Sequence, residues 1–147
     1  MKSIFNLHLS GFILRIAIAV PYIWFVADRA GLLGPHGGPH TSWGDWPHFQ
    51  QYAATVLSFV PAAWVYPLAL LASITEGILG ILLLLGAFTR LAAAGSALLS
   101  LSFALSMAVS FGIESPLAYS VFTVAAASMV LAGLPAGKWS IDQLINK

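Results

Sequence analysis

Apolar residues run almost unbroken through four segments of this chain, and the polar residues gather between them. The runs cover residues 10–29, 64–88, 91–111 and 116–134. A helix rises about 1.5 Å per residue, so roughly 20 residues cross a hydrocarbon core of about 30 Å. The pattern predicts an all-α membrane protein, a four-transmembrane-helix bundle forming one integral membrane domain over residues 1–147. Only Thr89 and Arg90 separate the second and third runs, which predicts a tight antiparallel hairpin. An equally short turn, Gly112 to Ser115, leads to Pro116, whose missing N–H does no harm at a helix start. Pro21 is predicted to kink the first helix by freeing the carbonyl of Ala17.

The longest break in the pattern is the external loop, residues 30–63. Its first half is dense in Gly, Pro, His and Trp and reads as turns. Its second half, from Pro47 to Val60, carries Phe49, Tyr52, Val56 and Phe59 at helical spacing. That predicts a short amphipathic helix roofing the bundle, with Asp45 as its N-cap. The first apolar run is expected to be a retained helix and not a cleaved leader. Arg15 interrupts it, and no small-x-small pattern closes it.

Composition points to the same solvent. Hydrophobic residues make up 59% and charged residues 7%, against about 25% charged in soluble domains. The mean hydropathy is +0.90. Too few charges exist to cover a water-soluble surface, so the bilayer is the expected partner and nucleic acid is not. With four spans, Lys2, Arg90, Lys138 and Lys147 share one side, opposite Arg29. The positive-inside rule then predicts both termini in the cytoplasm and the long loop outside. The chain has no cysteine, which excludes a dithiol relay, a disulfide and thiolate metal sites within it.

Against this background one residue stands out. Glu76 is the lone charge in the apolar stretch Trp64–Phe88. An ionisable group there costs a few kcal/mol or more, roughly 3 to 15 depending on the reference. It must be neutral, paired or functional. Ser73, Gly77 and Gly80 share its face, and small residues mark helix–helix contacts in lipid. The side chain is therefore predicted to point into the bundle. On the first helix Arg15, Tyr22 and Arg29 repeat by sevens along one stripe. Depth places Tyr22 near the level of Glu76 and Arg15 about five residues lower. Two readings follow: an Arg15–Glu76 ion pair with Tyr22 donating nearby, or a snorkelling Arg15 and a protonated Glu76. Ser96, Ser100, Ser102, Ser106 and Ser110 share one broad face of the third helix. They read either as a packing seam bonded to their own i−4 carbonyls or as a hydroxyl-lined wall.

In the loop, Asp28, Arg29, Trp43, Trp46 and His48 are further candidates. His36, His40 and His48 do not make a metal site, since no helix sets their spacing and no carboxylate or thiolate completes it. No metal is expected. His48 is the histidine expected to meet a ligand, because the short helix would fix its position.

The sequence resembles the DoxX family of small bacterial membrane proteins along nearly its whole length. The resemblance runs through Leu14-Arg15-Ile16-Ala17, through Ala27-Asp28-Arg29-Ala30-Gly31-Leu32-Leu33-Gly34, and through Trp43-Gly44-Asp45-Trp46. It is strongest from Glu76 to Ala93, where the Glu, the small residues and a leucine run lead into Gly86-Ala87-Phe88-Thr89-Arg90-Leu91-Ala92-Ala93. After the first helix the chain carries Asp28-Arg29, where the commoner pattern has a Gly-x-x-Lys-like motif. The family is named for a subunit of a thiosulfate:quinone oxidoreductase, and its wider relatives are redox-associated, maturation or assembly proteins. The resemblance implies a redox-associated, quinone-linked accessory subunit with a membrane or periplasmic protein partner. An enzymatic role would be as a subunit of such an oxidoreductase. The alternatives are a non-enzymatic assembly protein and a small-solute or proton pathway.

Overall fold

A computed structural model describes residues 6–135, 137 and 139–145. Among them every regular element is helical: α1 (Leu7–Arg29), α2 (Trp46–Val56), α3 (Ala62–Leu85), α4 (Thr89–Phe111), α5 (Glu114–Ala118), α6 (Val121–Gly133) and α7 (Ile141–Ile145). Of the residues used for orientation, Lys2, Lys138 and Lys147 lie outside the described ones.

Three helices, α1, α3 and α4, are long and apolar enough to cross a membrane. The fourth run departs from expectation. Residues 116–134 are not one helix but the end of α5, a turn and α6. Ser120 sits in the left-handed region at φ 56°, and its amide closes back on the Leu117 carbonyl at 3.1 Å. The 13 residues of α6 rise only about 20 Å. No Gly or Pro stands at Tyr119 or Ser120, so hydrophobic periodicity runs straight through the break.

Pro21 does not disturb the register of α1 beyond it. α1 continues through it, and Arg15, Tyr22 and Arg29 all stay buried, so the stripe of sevens keeps its face. Along that stripe α1 packs antiparallel to α3, while α4 packs along α6. The pairs meet in a core that includes Ile18, Ala19, Tyr22, Leu79, Leu83, Ala92 and Leu131. Gly80 lets α1 and α3 approach closely, since a Cβ there would lie 3.0 Å from Ile23 and 3.1 Å from Tyr22. A second apolar cluster, Phe49, Ala53, Val65 and Ala69, seats α2 on the first half of α3.

The α3–α4 turn is shaped by its own chemistry. Gly86 ends α3 at φ 68°, with its amide on the Leu83 carbonyl and the Ala87 amide on Leu82. This Schellman closure demands a left-handed residue, which Gly supplies without a steric penalty. Phe88 follows in the left-handed region and offers no side-chain cap to α4. The cap comes from far along the chain. Asp142 accepts from the amides of Phe88 (2.6 Å) and Thr89 (2.8 Å), and its own amide donates to the Gly86 carbonyl. Partial burial pushes the Asp142 carboxyl up, but the Thr89 and Phe88 amides and the nearby Arg15 guanidinium outweigh it. The carboxyl sits below its ordinary range.

A carboxyl depressed in the folded state stabilises above its unfolded pKa and loses that contribution as pH falls through the folded value. Asp142→Ala should therefore cost about 1 kcal/mol at neutral pH, as for a lost helix cap. The difference from wild type should shrink once pH drops below about 4. Unfolding midpoints of both proteins between pH 3 and 7 check this, and a gap that stays constant across the range rejects the cap.

Candidate functional site

Two adjacent residues at the end of α1 build the site. Asp28 is fully buried and accepts three backbone N–H groups, from Ser42 (3.1 Å), Trp43 (2.9 Å) and Gly44 (3.2 Å). Those bonds fold the turn-rich loop back over the helix end. The fold-back carries the Trp43 ring to 5.0 Å from the Arg29 guanidinium carbon. Asp45 then caps α2 by accepting the His48 amide at 2.9 Å, as the sequence predicted. Hydrogen bonds from the His48 amide and then its ring hold the Asp45 carboxyl below its usual range. With α2 started there, Phe49 falls one turn in, its ring centre 3.9 Å from the Arg29 guanidinium carbon.

Arg29 thus lies against two aromatic rings that themselves meet edge to face, with centroids 5.1 Å apart, and it is turned toward α3. Its Nη1 donates to Ser73 Oγ at 2.8 Å and to Glu76 Oε2 in a buried ion pair. A guanidinium suits this setting because it is weakly hydrated and stacks on aromatic faces. Arg29 Nε is buried with no hydrogen-bond partner. Beside the pair lies a cavity of about 620 Å³, lined chiefly by α2, α3 and α4. Its walls are mostly apolar, with Phe25, Trp43, Phe49, Phe103 and Met107 among them, and Arg29 and Glu76 supply the charge. Size and lining match the usual small-molecule site, apolar with a few placed polar groups.

Of the two readings for Glu76, the Arg15–Glu76 pair does not form, because Glu76 is paired with Arg29 instead. The α1–α3 register puts Tyr22 beside Gly80, one turn from Glu76, and Arg29 beside Ser73 and Glu76. Arg15 lies at the far end, next to Gly86, where its Nη2 donates to the Trp139 carbonyl and its guanidinium carbon is 5.4 Å from the Phe12 ring. The heptad fixed which way these side chains point but not how far α1 slides along α3.

Tyr22 has a separate role. Its hydroxyl is 2.9 Å from both Ser96 Oγ and Ser100 Oγ, and Ser96 is 2.9 Å from Ser128 Oγ. This buried cluster ties α1, α4 and α6 together. The serine face of α4 thus divides. Ser102 bonds its own i−4 carbonyl, Leu98, Ser110 bonds the Val56 carbonyl, and Ser102 and Ser106 line the cavity.

The structure does not bring His48 to the cavity. Its ring faces Asp45 at 2.8 Å and stacks on His36, with centroids 3.6 Å apart. Trp46 supports the site at one remove, packing on Phe49 at 5.3 Å and near Tyr66 at 6.0 Å. No cluster of three metal-binding side chains occurs among the described residues. One residue of the site and one at the far α3–α4 turn had no signal of their own in the sequence. Phe49 was legible only as part of an apolar face, and Asp142 is too distant in sequence to be read as a cap for α4.

A helical bundle with membrane-length apolar helices and a buried ion pair beside a cavity is a multi-pass membrane protein. The family model for the TQO small subunit DoxD matches residues 49–147, more than half of the chain, and the chain belongs to that DoxX-type family. The matched stretch includes Glu76, whereas Arg29 precedes it. No curated protein and no solved structure matches the chain.

Proposed function

We propose that the chain is a redox-associated accessory subunit that binds a quinone headgroup beside Arg29 and Glu76. One observation carries the reading: a buried donor–acceptor pair lines an otherwise apolar cavity of about 620 Å³. A quinone has the matching shape, two carbonyl acceptors on a ring with a hydrocarbon tail. The orphaned Arg29 Nε fits a carbonyl acceptor, and Glu76 can accept or return a proton as the headgroup changes redox state. The family description, a TQO small subunit, supports the quinone link and a larger partner. A quinone supplies two-electron, two-proton chemistry. In this reading the electrons come from that partner, and with no cysteine the chain itself offers no dithiol relay.

In this reading the chain is one integral membrane domain with four crossings, α5 and α6 together making the fourth. It sits in an inner membrane with both termini cytoplasmic and residues 30–63 outside. Protein purified in mild detergent should carry quinone near one per chain. Glu76→Gln should lower that occupancy about tenfold, read by solvent extraction and chromatography. Protein free of quinone that co-purifies with one membrane protein would replace this reading with the assembly role. Proton flux in liposomes that needs Glu76 would replace it with a pathway.

A further inference from the structure

The cavity beside Arg29 and Glu76 is roofed by α2, and its side between α3 and α4 carries exposed lining residues. α3 and α4 are tight near their shared turn, where a Cβ on Gly95 would lie 3.1 Å from Leu79. Farther from the turn the cavity separates them, lined by Leu71 and Thr75 on α3 and by Leu99 and Ser102 on α4. α2 lies across the top. Its last turn is pinned to α4, with Ser110 Oγ donating to the Val56 carbonyl at 2.7 Å and Ser58 Oγ donating to Ser110 Oγ at 2.9 Å. Its first turn is held by the Asp45 cap, and the loop before it by Asp28. Phe49 and Ala53 are buried beneath it.

The side wall differs. Leu71 is 62% exposed and Phe59 53% exposed, yet both also line the cavity. Leu68 and Ser102 are likewise exposed members of the lining. Leu68, Leu71 and Ser102 lie on helices of membrane length, whose exposed faces look into lipid, and Phe59 stands at the rim in the link between α2 and α3. We propose that the gap between α3 and α4 below α2 is a lateral mouth that admits a long-tailed amphiphile from the bilayer. Its neutral, carbonyl-bearing headgroup reaches Arg29 and Glu76 while the tail stays in the mouth. The chemistry at the two ends sets this class: a donor and an acceptor inside, and at the rim apolar side chains with the Thr75 and Ser102 hydroxyls, each bonded to a carbonyl of its own helix. This inference rests on the quinone reading and adds the route and the need for a tail.

The test uses the full chain in lipid nanodiscs with two probes, a decyl-tailed benzoquinone and the same headgroup without a tail. Wild type should bind the tailed probe at least tenfold tighter. Leu71→Trp with Ser102→Trp, both at exposed positions, should slow association of the tailed probe at least tenfold. Phe59→Ala, which widens the rim, should speed it. Ser58→Ala with Ser110→Ala, which frees the roof, should leave the rate within twofold. A faster rate in the roof variant with no slowing in the Trp variant overturns lateral entry in favour of entry from water. Equal affinity for the two probes overturns the tail requirement. In both cases quinone bound to wild type leaves the headgroup site intact. Wild type that binds neither probe removes the quinone reading and this inference with it.

Discussion

Arg29→Met is expected to destabilise the protein by about 3–5 kcal/mol, because it leaves the Glu76 carboxylate buried without its partner. The methionine stem retains most of the contact with Phe49 and Trp43, so lost packing contributes little. Combining it with Glu76→Gln removes the uncompensated charge and should recover much of the loss. The double variant should be clearly less destabilised than the sum of the singles, with coupling of about 2 kcal/mol or more. Reversible unfolding in mixed detergent micelles supplies all four corners of the cycle. The same cycle with Arg15→Met and Glu76→Gln should close within about 0.5 kcal/mol, as for distant sites. Arg15 contacts the Trp139 carbonyl and the Gly86 turn instead. Additive losses at Arg29 and Glu76, or strong coupling at Arg15, would mean that the pairing is wrong. Arg29→Lys should not rescue the site, since an ammonium lacks the planar group that packs against Trp43 and Phe49.

The contrast between the two arginines shows where the sequence stops being informative. Helical periodicity reports azimuth, and it placed Arg15, Tyr22, Arg29 and Glu76 on inward faces, where all four are buried. It carries no information on axial offset, because sliding α1 by one turn leaves every residue on the same stripe. That offset is set by side-chain volumes at the contact, above all the missing Cβ of Gly80 against Tyr22 and Ile23. Local chemistry was readable for the same reason that azimuth was. Asp45 caps a helix starting at the next residue, whereas the apolar run continuing to Phe88 hid the end of α3 at Gly86. Contacts between distant segments were not readable. The Asp142 cap on α4 and the three loop amides on Asp28 join groups whose sequence neighbours give no hint of each other. The break at Ser120 belongs with these, since no turn residue announces it.

Replacing Asp28 with the near-isosteric Leu is expected to detach the loop without unfolding the bundle. Three amides, from Ser42, Trp43 and Gly44, would face an apolar side chain. Each buried donor left unpaired costs about 1–3 kcal/mol, so the sum exceeds what a surface loop can bear. The chain escapes the penalty by opening to water, because α1, α3, α4 and α6 pack together through a core this loop does not enter. Hydrogen exchange should therefore show residues 31–45 losing protection by at least about tenfold while α3 and α4 keep theirs. Asp28→Asn retains one carbonyl acceptor and should lose less. Unchanged protection at residues 42–44 in Asp28→Leu would show that the carboxylate does not hold the loop. The same opening removes Trp43 from Arg29, so the ion pair should become exposed to solvent without any change to Arg29 or Glu76 themselves. Adjacent residues on one helix end thus divide the work: Asp28 keeps the roof in place, and Arg29 uses the dry space beneath it.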